Sequence, residues 1–400
     1  MLVEPGFLRT ELFTPESTKY TAGHRTPIRA TSARTMASPA LRSGSHGNHQ
    51  ARRWVGPDMK AIVYTETGDP SVLRLVDREV TSPAPGEVRV RVVVSGVNPT
   101  DWKSRRGSGP GESLPFAEVT PDQDGAGVID AVGDGVTDLA VGDQVWIYLA
   151  GHRRPTGTAQ EYTNLPAERV IRLPDGIEFD IGASLGVPAL TAHRALTVAE
   201  DGPRRLQPGA LEGKFVLVAG GAGAVGHAAI QLARWAGAIV ITTISGPAKA
   251  DLVTAAGAHH VINYRDQDAA AAIAEIAPDG VDLIVEVAVT VNARLDMQVA
   301  KSRTSLAIYA NDGGEEFSLD IRSSMVKNIR YQFVLLYTVG ELALSQAVAD
   351  VTRALKDGAL PVGEGAGLPL HRFALADAAA AHQAVEDGAV GKVLIDVAPA

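Results

Sequence analysis

The sequence predicts an α/β protein in which a doubly wound parallel sheet domain is set into a Gly-rich, partly closed antiparallel β domain. Three observations predict it. Residues 214–226 read KFVLVAGGAGAVG: a short apolar run of β-formers, a glycine turn, and a helix start whose stripe continues through Val225, Ala228, Ala229, Leu232, Ala233 and Ala236. From residue 187 onward strand and helix patterns alternate, as in a parallel sheet covered by helices on both faces. Residues 59 to about 186 instead carry short β-prone runs bounded by Gly, Pro and Asp.

Taken in order, residues 1–58 are rich in Ser, Thr, Arg, Gly, Pro and His without a sustained apolar period, and are expected to be disordered. Residues 17–57 are basic with no acidic residue, faintly like a transit peptide, but Glu4, Glu11, Glu16 and the missing apolar segment argue against a targeting signal. Met59 opens a different kind of sequence and is itself a candidate start. Strands are expected at 60–64, 72–76, 88–94, 127–132 and 144–148, and a helical link at 180–195. After the opening βα unit come strands at 238–244, 261–263, 281–287 and 306–309, with helices at 248–256 and 268–276. Residues 331–337, YQFVLLY, read as a last edge strand that a second subunit would cover. Residues 341–355 form an amphipathic helix, Asp377 N-caps another that runs to Glu386, and 392–397 close the chain as a strand returning to the first domain. The domains so drawn are 59–186 with 338–400, and 187–337.

Composition bounds the function. The 400 residues are 45% hydrophobic and 21% charged, enough for two or three domains, and no run reaches the length of a membrane span. The net charge is −9, and because residues 1–58 carry +4 the remainder carries −13, which makes it a poor non-specific binder of nucleic acid. The absence of cysteine excludes disulfides, thiol catalysis and cysteine-ligated zinc, and suits a reducing, cytoplasmic setting.

Gly221, Gly223 and Gly226 stand at GxGxxG spacing, the first for a tight turn, the second for close approach of a pyrophosphate, the third for helix–strand packing. With Ala222, Ala224 and Val225 they form a Rossmann-type dinucleotide turn at a helix N-terminus. In NAD binders a carboxylate about twenty residues on, at the end of the second strand, accepts the ribose 2′-OH. Here that strand ends in Ile244, Ser245 and Gly246 with Lys249 beyond, and Tyr264 and Arg265 end the next strand. A small polar end with a cation suits a 2′-phosphate, so NADPH is the expected cofactor. Lys249 also reads as an ordinary solvated helix residue.

The blocks MKAIVY, GDPSVLRL, SGVNPTDWK, DGAGVIDAVG, VGDQVW, GTAQEY, GVPALTAHRAL, the glycine turn, GAHHVINYR and GKVLIDV occur in order over residues 59–400. In these the chain resembles the medium-chain dehydrogenase/reductase superfamily, and within it the zinc-free quinone oxidoreductase group that includes zeta-crystallin. The resemblance implies a GroES-like fold for the antiparallel domain. Zinc-holding members have ligands where this chain has Asn98, the pair Gln123 and Asp124, and Val187. A Lewis-acid alcohol dehydrogenase mechanism is therefore not expected.

The activity implied is hydride transfer from nicotinamide C4 of NADPH to a quinone, or to an enone or enoyl thioester, the protein's work being alignment and water exclusion. By resemblance Asn98 offers its amide to the substrate or to the nicotinamide end; the Asn98–Pro99 pair also shapes a turn. Asp101 and Asp124 are the accompanying catalytic candidates, and Asp124 before GAG is equally a turn residue. Trp102 either walls an apolar pocket or packs in the core. Lys103 stands where relatives carry a cofactor-touching tyrosine, and its ammonium reaches toward a phosphate. Thr191 resembles the threonine at the nicotinamide end, and His193 two residues on is either a proton donor or structural. Asn292 and the run Tyr309, Ala310, Asn311, Asp312 fall at strand ends of the sheet, where such folds bind ligands. Val334, Leu335 and Leu336 resemble the segment lining the nicotinamide side.

Quinone reduction ranks above alkene reduction, because protonation at carbon calls for a positioned acid such as Tyr and residues 98–121 contain none. A reading of another class is an NADPH-binding structural or redox-sensing protein with little turnover. Residues 105–119 hold four glycines or prolines beyond Gly107 and are expected to form a lid over the acceptor pocket. The expected partners are a small-molecule acceptor and a second copy of the chain.

Overall fold

A computed structural model describes residues 58–107 and 113–399. The stretch expected to be disordered, apart from Asp58, and residues 108–112 of the expected lid lie outside the described residues. Strand β1 (Asp58–Val63) pairs with β2 (Arg74–Glu79). Pro70 starts a turn of 3-10 helix that occupies Pro70–Val72, so β2 begins later than its apolar run suggests. Next come β3 (Glu87–Val97), helix α1 (Pro99–Arg106), β4 (Asp124–Val132), β5 (Gln144–Ile147), β6 (Tyr162–Pro166) and β7 (Val170–Arg172). Neither α1 nor the last two strands stood out in the sequence. The helical link is two pieces, α2 (Phe179–Gly182) and α3 (Gly186–Leu196).

The parallel half runs β8 (Phe215–Ala219), α4 (Ala224–Trp235), β9 (Ile239–Ile244), α5 (Ala250–Ala255), β10 (His260–Asn263), α6 (Ala269–Ile276) and β11 (Val281–Glu286). It continues through α7 (Val289–Val299), β12 (Ala300–Ile308), α8 (Ile321–Lys327) and β13 (Arg330–Phe333). Strand order is β10-β9-β8-β11-β12-β13, all neighbours parallel. That is the Rossmann order, whose ligand crevice opens at the carboxyl ends beside the β8/β11 reversal. The last strand stops at Phe333 rather than at residue 337, because the chain turns into a 3-10 segment, Leu336–Thr338.

Helix α9 (Glu341–Lys356) lies against α3, burying Val351 and Leu355 in the cluster that holds Leu190, Val216 and Ile230. The chain rejoins the antiparallel domain at β14 (Leu370–Ala374), followed by α10 (Ala378–Glu386) and β15 (Lys392–Asp396). Asp377 does stand at the N-cap of α10, but its side chain makes no capping hydrogen bond. The second sheet has the order β14-β15-β3-β4-β5-β7, with β6 also on β3. It curls without closing, so the fold is a Rossmann domain with a GroES-like, partly closed barrel. Its β14/β15 pair is parallel, which makes the sheet mixed rather than purely antiparallel.

Candidate active site and dinucleotide cleft

The glycine turn departs from its sequence reading at one position. Gly220, not Gly221, takes the left-handed φ of +67° that the tight turn needs. Gly221 is a packing glycine: a Cβ there would stand 2.2 Å from Thr242 Oγ1 on β9. At Gly226 a Cβ would stand 2.4 Å from the Gly220 carbonyl oxygen, so α4 and its turn touch through it. Gly223 is exposed at the N-cap, where a Cβ would meet nothing nearer than 3.5 Å and no side chain caps the helix. Open space over a glycine, beside the uncapped start of a 12-residue helix, is the shape a pyrophosphate needs. Ala222 is buried beneath the turn, while Ala224 and Val225 begin the helix half-buried.

At the next strand end Lys249 Nζ donates to Ser245 Oγ at 3.0 Å. Tyr264, 49% exposed, follows β10 and donates its backbone N–H to the Ile244 carbonyl. Ser245, Lys249 and Tyr264 are therefore gathered at one edge, with no carboxylate at the end of β9.

Further along the crevice, Asn292 donates to Glu286 at 3.0 Å, so its amide is engaged with the end of β11. Tyr309 and Asp312 are tied by their backbone N–H groups to the carbonyls of Glu286 and Val287. Burial, then the charges of Glu286 and Asp312, push the Tyr309 phenol far up. Ala310 lies half-buried between them. Lys103 Nζ donates to Asn311 Oδ1 at 3.2 Å, which brings two expected cofactor residues together from opposite domains. Trp102 is half-exposed with the Lys103 and Arg106 cations over its ring, 5.8 and 5.7 Å from the centroid, so it is not a core residue. Thr191 is buried in α3. Val334 and Leu336 turn into the core while Leu335, 58% exposed, faces out like Phe333.

At the base of the cleft lies a buried polar network that only Asn98, Asp101 and Asp124 announced in the sequence. Asp124 Oδ2 accepts from Asn98 Nδ2 at 2.7 Å, and its carboxylate takes the Val187 N–H at the start of α3 at 2.9 Å. Gly186 makes room, since a Cβ there would stand 2.0 Å from Asp124 Oδ1. The third member comes from the far end of the chain: Lys392 Nζ donates to Asn98 Oδ1 at 2.6 Å and lies 3.7 Å from Asp124 Oδ2. Gly96 makes room chiefly for the Ala183 carbonyl oxygen, 2.1 Å from where a Cβ would stand, with the lysine head 3.2 Å away. Burial pushes the Asp124 carboxyl up, while Lys392, Asn98 and the Val187 N–H pull the other way. Burial likewise pulls Lys392 down against the attraction of Asp124, Asp101 and Asp122. Asp101 Oδ2 accepts the Asn98 N–H at 2.7 Å, closing the first turn of α1, and its Oδ1 is buried without a partner. The second amide hydrogen of Asn98 has only a long 3.4 Å contact to the Gly96 carbonyl.

Sequence reasoning missed five residues here. Lys392 had a signal, a lysine leading the apolar run Val393, Leu394 and Ile395. Asp122 accepts from Ser95 at 2.9 Å and pairs with His382 at 3.0 Å, both fully buried. Tyr337 crosses to α1, where its hydroxyl donates to Thr100 Oγ1 at 3.0 Å. His193, by contrast, is structural: its Nε2 lies 2.9 Å from Asp350 on α9, away from the turn. Burial alone would raise the Asp350 carboxyl, but hydrogen bonds from His193, Arg205 and the Leu206 N–H hold it at about 2. Among the described residues no group of three His, Asp or Glu side chains is arranged to hold a metal.

Two families match the chain: the alcohol dehydrogenase GroES-like domain over residues 84–175 and the zinc-binding dehydrogenase family over 224–353. The quinone oxidoreductase of Lama guanicoe is 32% identical over 340 residues, 84% of this chain and 97% of the relative. Two solved structures complexed with NADPH are similar, each covering 84% of this chain and 99% of their own, with TM-score 0.69. One is a mycobacterial protein, 30% identical. The other is the Escherichia coli quinone oxidoreductase, 25% identical.

Proposed function

The chain belongs to the quinone oxidoreductase group of the medium-chain dehydrogenase/reductase superfamily, and from that premise we propose that it is an NADPH-dependent, zinc-independent quinone reductase. The observation that carries the zinc-free reading is Lys392: an ammonium sits between Asn98 and Asp124, at the position where zinc relatives gather their metal. A cation there already neutralises Asp124, and neither an ammonium nor an amide nitrogen tied to a carboxylate is a zinc donor.

The uncapped start of α4 and the open face of Gly223 bind the pyrophosphate. Ser245, Lys249 and Tyr264 hold the 2′-phosphate, which is the support for NADPH over NADH. Thr191, Tyr309 to Asp312 and Val334 to Leu336 border the nicotinamide end. When bound there, NADPH supplies a hydride at C4 of its ring. Lys103 and Asn311 draw the two domains together over the cleft and help exclude water. Asn98 offers its loosely held amide hydrogen to the oxygen of the acceptor as charge develops on it. Asp101, Asp124 and Lys392 act through Asn98 as positioning residues.

NADPH consumption with a benzoquinone panel, run beside NADH, an enone and crotonyl thioester, tests the reading. Quinone turnover with NADPH is the expected result; rapid turnover of the thioester alone overturns it. The edge strand β13, with Phe333 exposed at its end and Leu335 exposed just past it, suits pairing with a second copy of the chain. A monomeric mass by light scattering would remove that part.

A further inference from the structure

The loop that follows β5 is strained at two places. Leu149 and Arg153 both take left-handed φ, +51° and +58°, which residues other than glycine rarely adopt. Arg169 holds the loop in that shape, its Nη1 donating to the Leu149 carbonyl at 2.6 Å and to the His152 carbonyl at 3.0 Å. Backbone strain of this kind gathers at ligand clamps, and this loop lies on the cleft. The Ala150 N–H donates to the Gln123 carbonyl at 3.0 Å, and a Cβ on Gly151 would stand 3.1 Å from the Gln123 amide nitrogen. His152 lays its ring against Tyr337, centroids 5.0 Å apart, and the Tyr337 hydroxyl reaches Thr100, two residues from Asn98.

The loop thereby sets Arg153 at the rim of the cleft, and α1 brings Lys103 to the same rim. Both cations are exposed, and among the described residues neither is paired with a carboxylate: Lys103 meets the neutral Asn311, and Arg153 makes no hydrogen bond. Their sequence neighbours Arg106 and Arg154 are instead neutralised by Glu386 and Glu87. The Arg153 charge is felt inside the cleft. Burial, then the charges of Arg169 and Arg153, pull His152 below its ordinary 6.5, so its ring faces Tyr337 uncharged at neutral pH. Trp102, half-exposed beside Lys103, offers an aromatic face. Unpaired cations beside such a face concentrate anions locally, although the chain beyond residue 58 is acidic as a whole.

We propose that Arg153 and Lys103 form an anion-recognising rim, and that the acceptors this cleft selects are fused-ring quinones carrying a carboxylate or sulfonate. This rests on the quinone reading above and names the substrate class within it. The acceptor ring lies along Trp102, its acidic group meets the two cations, and a quinone oxygen is left to face the Asn98 amide. Arg153 acts on binding and not on hydride transfer, so its effect falls on the KM of charged acceptors rather than on kcat.

The test uses the full chain with saturating NADPH and two acceptors, 1,4-naphthoquinone-2-sulfonate and the neutral 2-methyl-1,4-naphthoquinone. Comparing the ratio of their kcat/KM values between proteins cancels the difference in intrinsic reactivity. Arg153→Asn removes the charge and keeps a residue at home in the left-handed region. In it the sulfonate-to-neutral ratio should fall about fivefold through KM, the upper end for an exposed charge pair. Arg153→Lys should keep most of the wild-type ratio, and added salt should lower that ratio more in the wild type than in Arg153→Asn. By calorimetry on the NADPH-loaded chain, naphthalene-2-sulfonate should bind more tightly than naphthalene-2-sulfonamide, and Arg153→Asn should narrow that gap. A ratio unmoved in Arg153→Asn, with the gap unchanged, overturns the proposal and leaves the quinone reading standing. Sulfonate binding that depends on Arg153, with neither quinone reduced, removes the quinone reading and keeps the anion-recognising rim.

Discussion

Lys392 Nζ lies 2.6 Å from Asn98 Oδ1, joining the last strand of the chain to the turn that opens α1. Lys392 is 1% exposed and Asp124 is fully buried, so this is a buried charge pair bridged by an amide. Such a pair adds little over an apolar filling, but removing one partner strands the other. Lys392→Met should therefore cost about 3 kcal/mol in urea unfolding. Adding Asp124→Asn should recover part of that loss rather than add to it, and simple additivity would show that the two do not share one network.

Asp101 gives a pH signature. Burial, then the charges of Asp122 and Asp124, push its carboxyl well above 3.8. The folded chain keeps a proton that the unfolded chain releases, so the stability it lends is complete below about pH 4 and is lost as pH rises through the folded value. Asparagine imitates the protonated acid: its oxygen still accepts the Asn98 N–H. Urea midpoints of wild type and Asp101→Asn should run together at low pH and separate above it, the wild type falling faster. Parallel curves would show that Asp101 is ionised in the fold.

The glycines of the turn should separate folding from binding. In Gly221→Ala the new methyl meets Thr242 Oγ1 at 2.2 Å between turn and strand, and the loss of stability should be about 3 kcal/mol. Gly223 has φ −81° and open space above it, so Gly223→Ala should stay within about 0.5 kcal/mol of wild type. The methyl then occupies the face proposed for the pyrophosphate, and NADPH fluorescence titration should show affinity weakened about tenfold or more. Equal effects of both variants on binding alone would assign the turn a different role.

Much of this was legible in local patterns, and what was not depended on contacts distant in sequence. The parallel strands β8, β9 and β11 announced themselves because strands buried on both faces are nearly continuous apolar runs. Helix α7 did not: Val289, Thr290 and Val291 favour strand, and its half-buried face gives a weak period. Asn98 and Asp124 stood out because the blocks that carry the family resemblance, GVNPTD and the one holding Gln123 and Asp124, are local. Their engagement with Lys392 could not, since 294 residues separate Lys392 from Asn98. Tyr337 was hidden for the same reason: its hydroxyl reaches Thr100 across 237 residues of sequence.

Cofactor choice is the sharpest remaining discriminator, because it turns on one strand end. Lys249 is hydrogen-bonded to Ser245 at 3.0 Å, so its ammonium is already directed toward the end of β9 instead of trailing into solvent. A 2′-phosphate would gain a charge-assisted hydrogen bond there, whereas the 2′-OH of NADH would gain a weaker, neutral-acceptor one. Lys249→Ala should lower the preference for NADPH over NADH about 10- to 100-fold, mostly through weaker NADPH binding, the range for one hydrogen bond to a charged group. Ser245→Asp should go further, since its carboxylate repels the phosphate and accepts the ribose hydroxyl of NADH. If both variants keep the wild-type ratio of kcat/KM for the two nucleotides, the phosphate is held elsewhere and the role given to Lys249 and Ser245 is wrong.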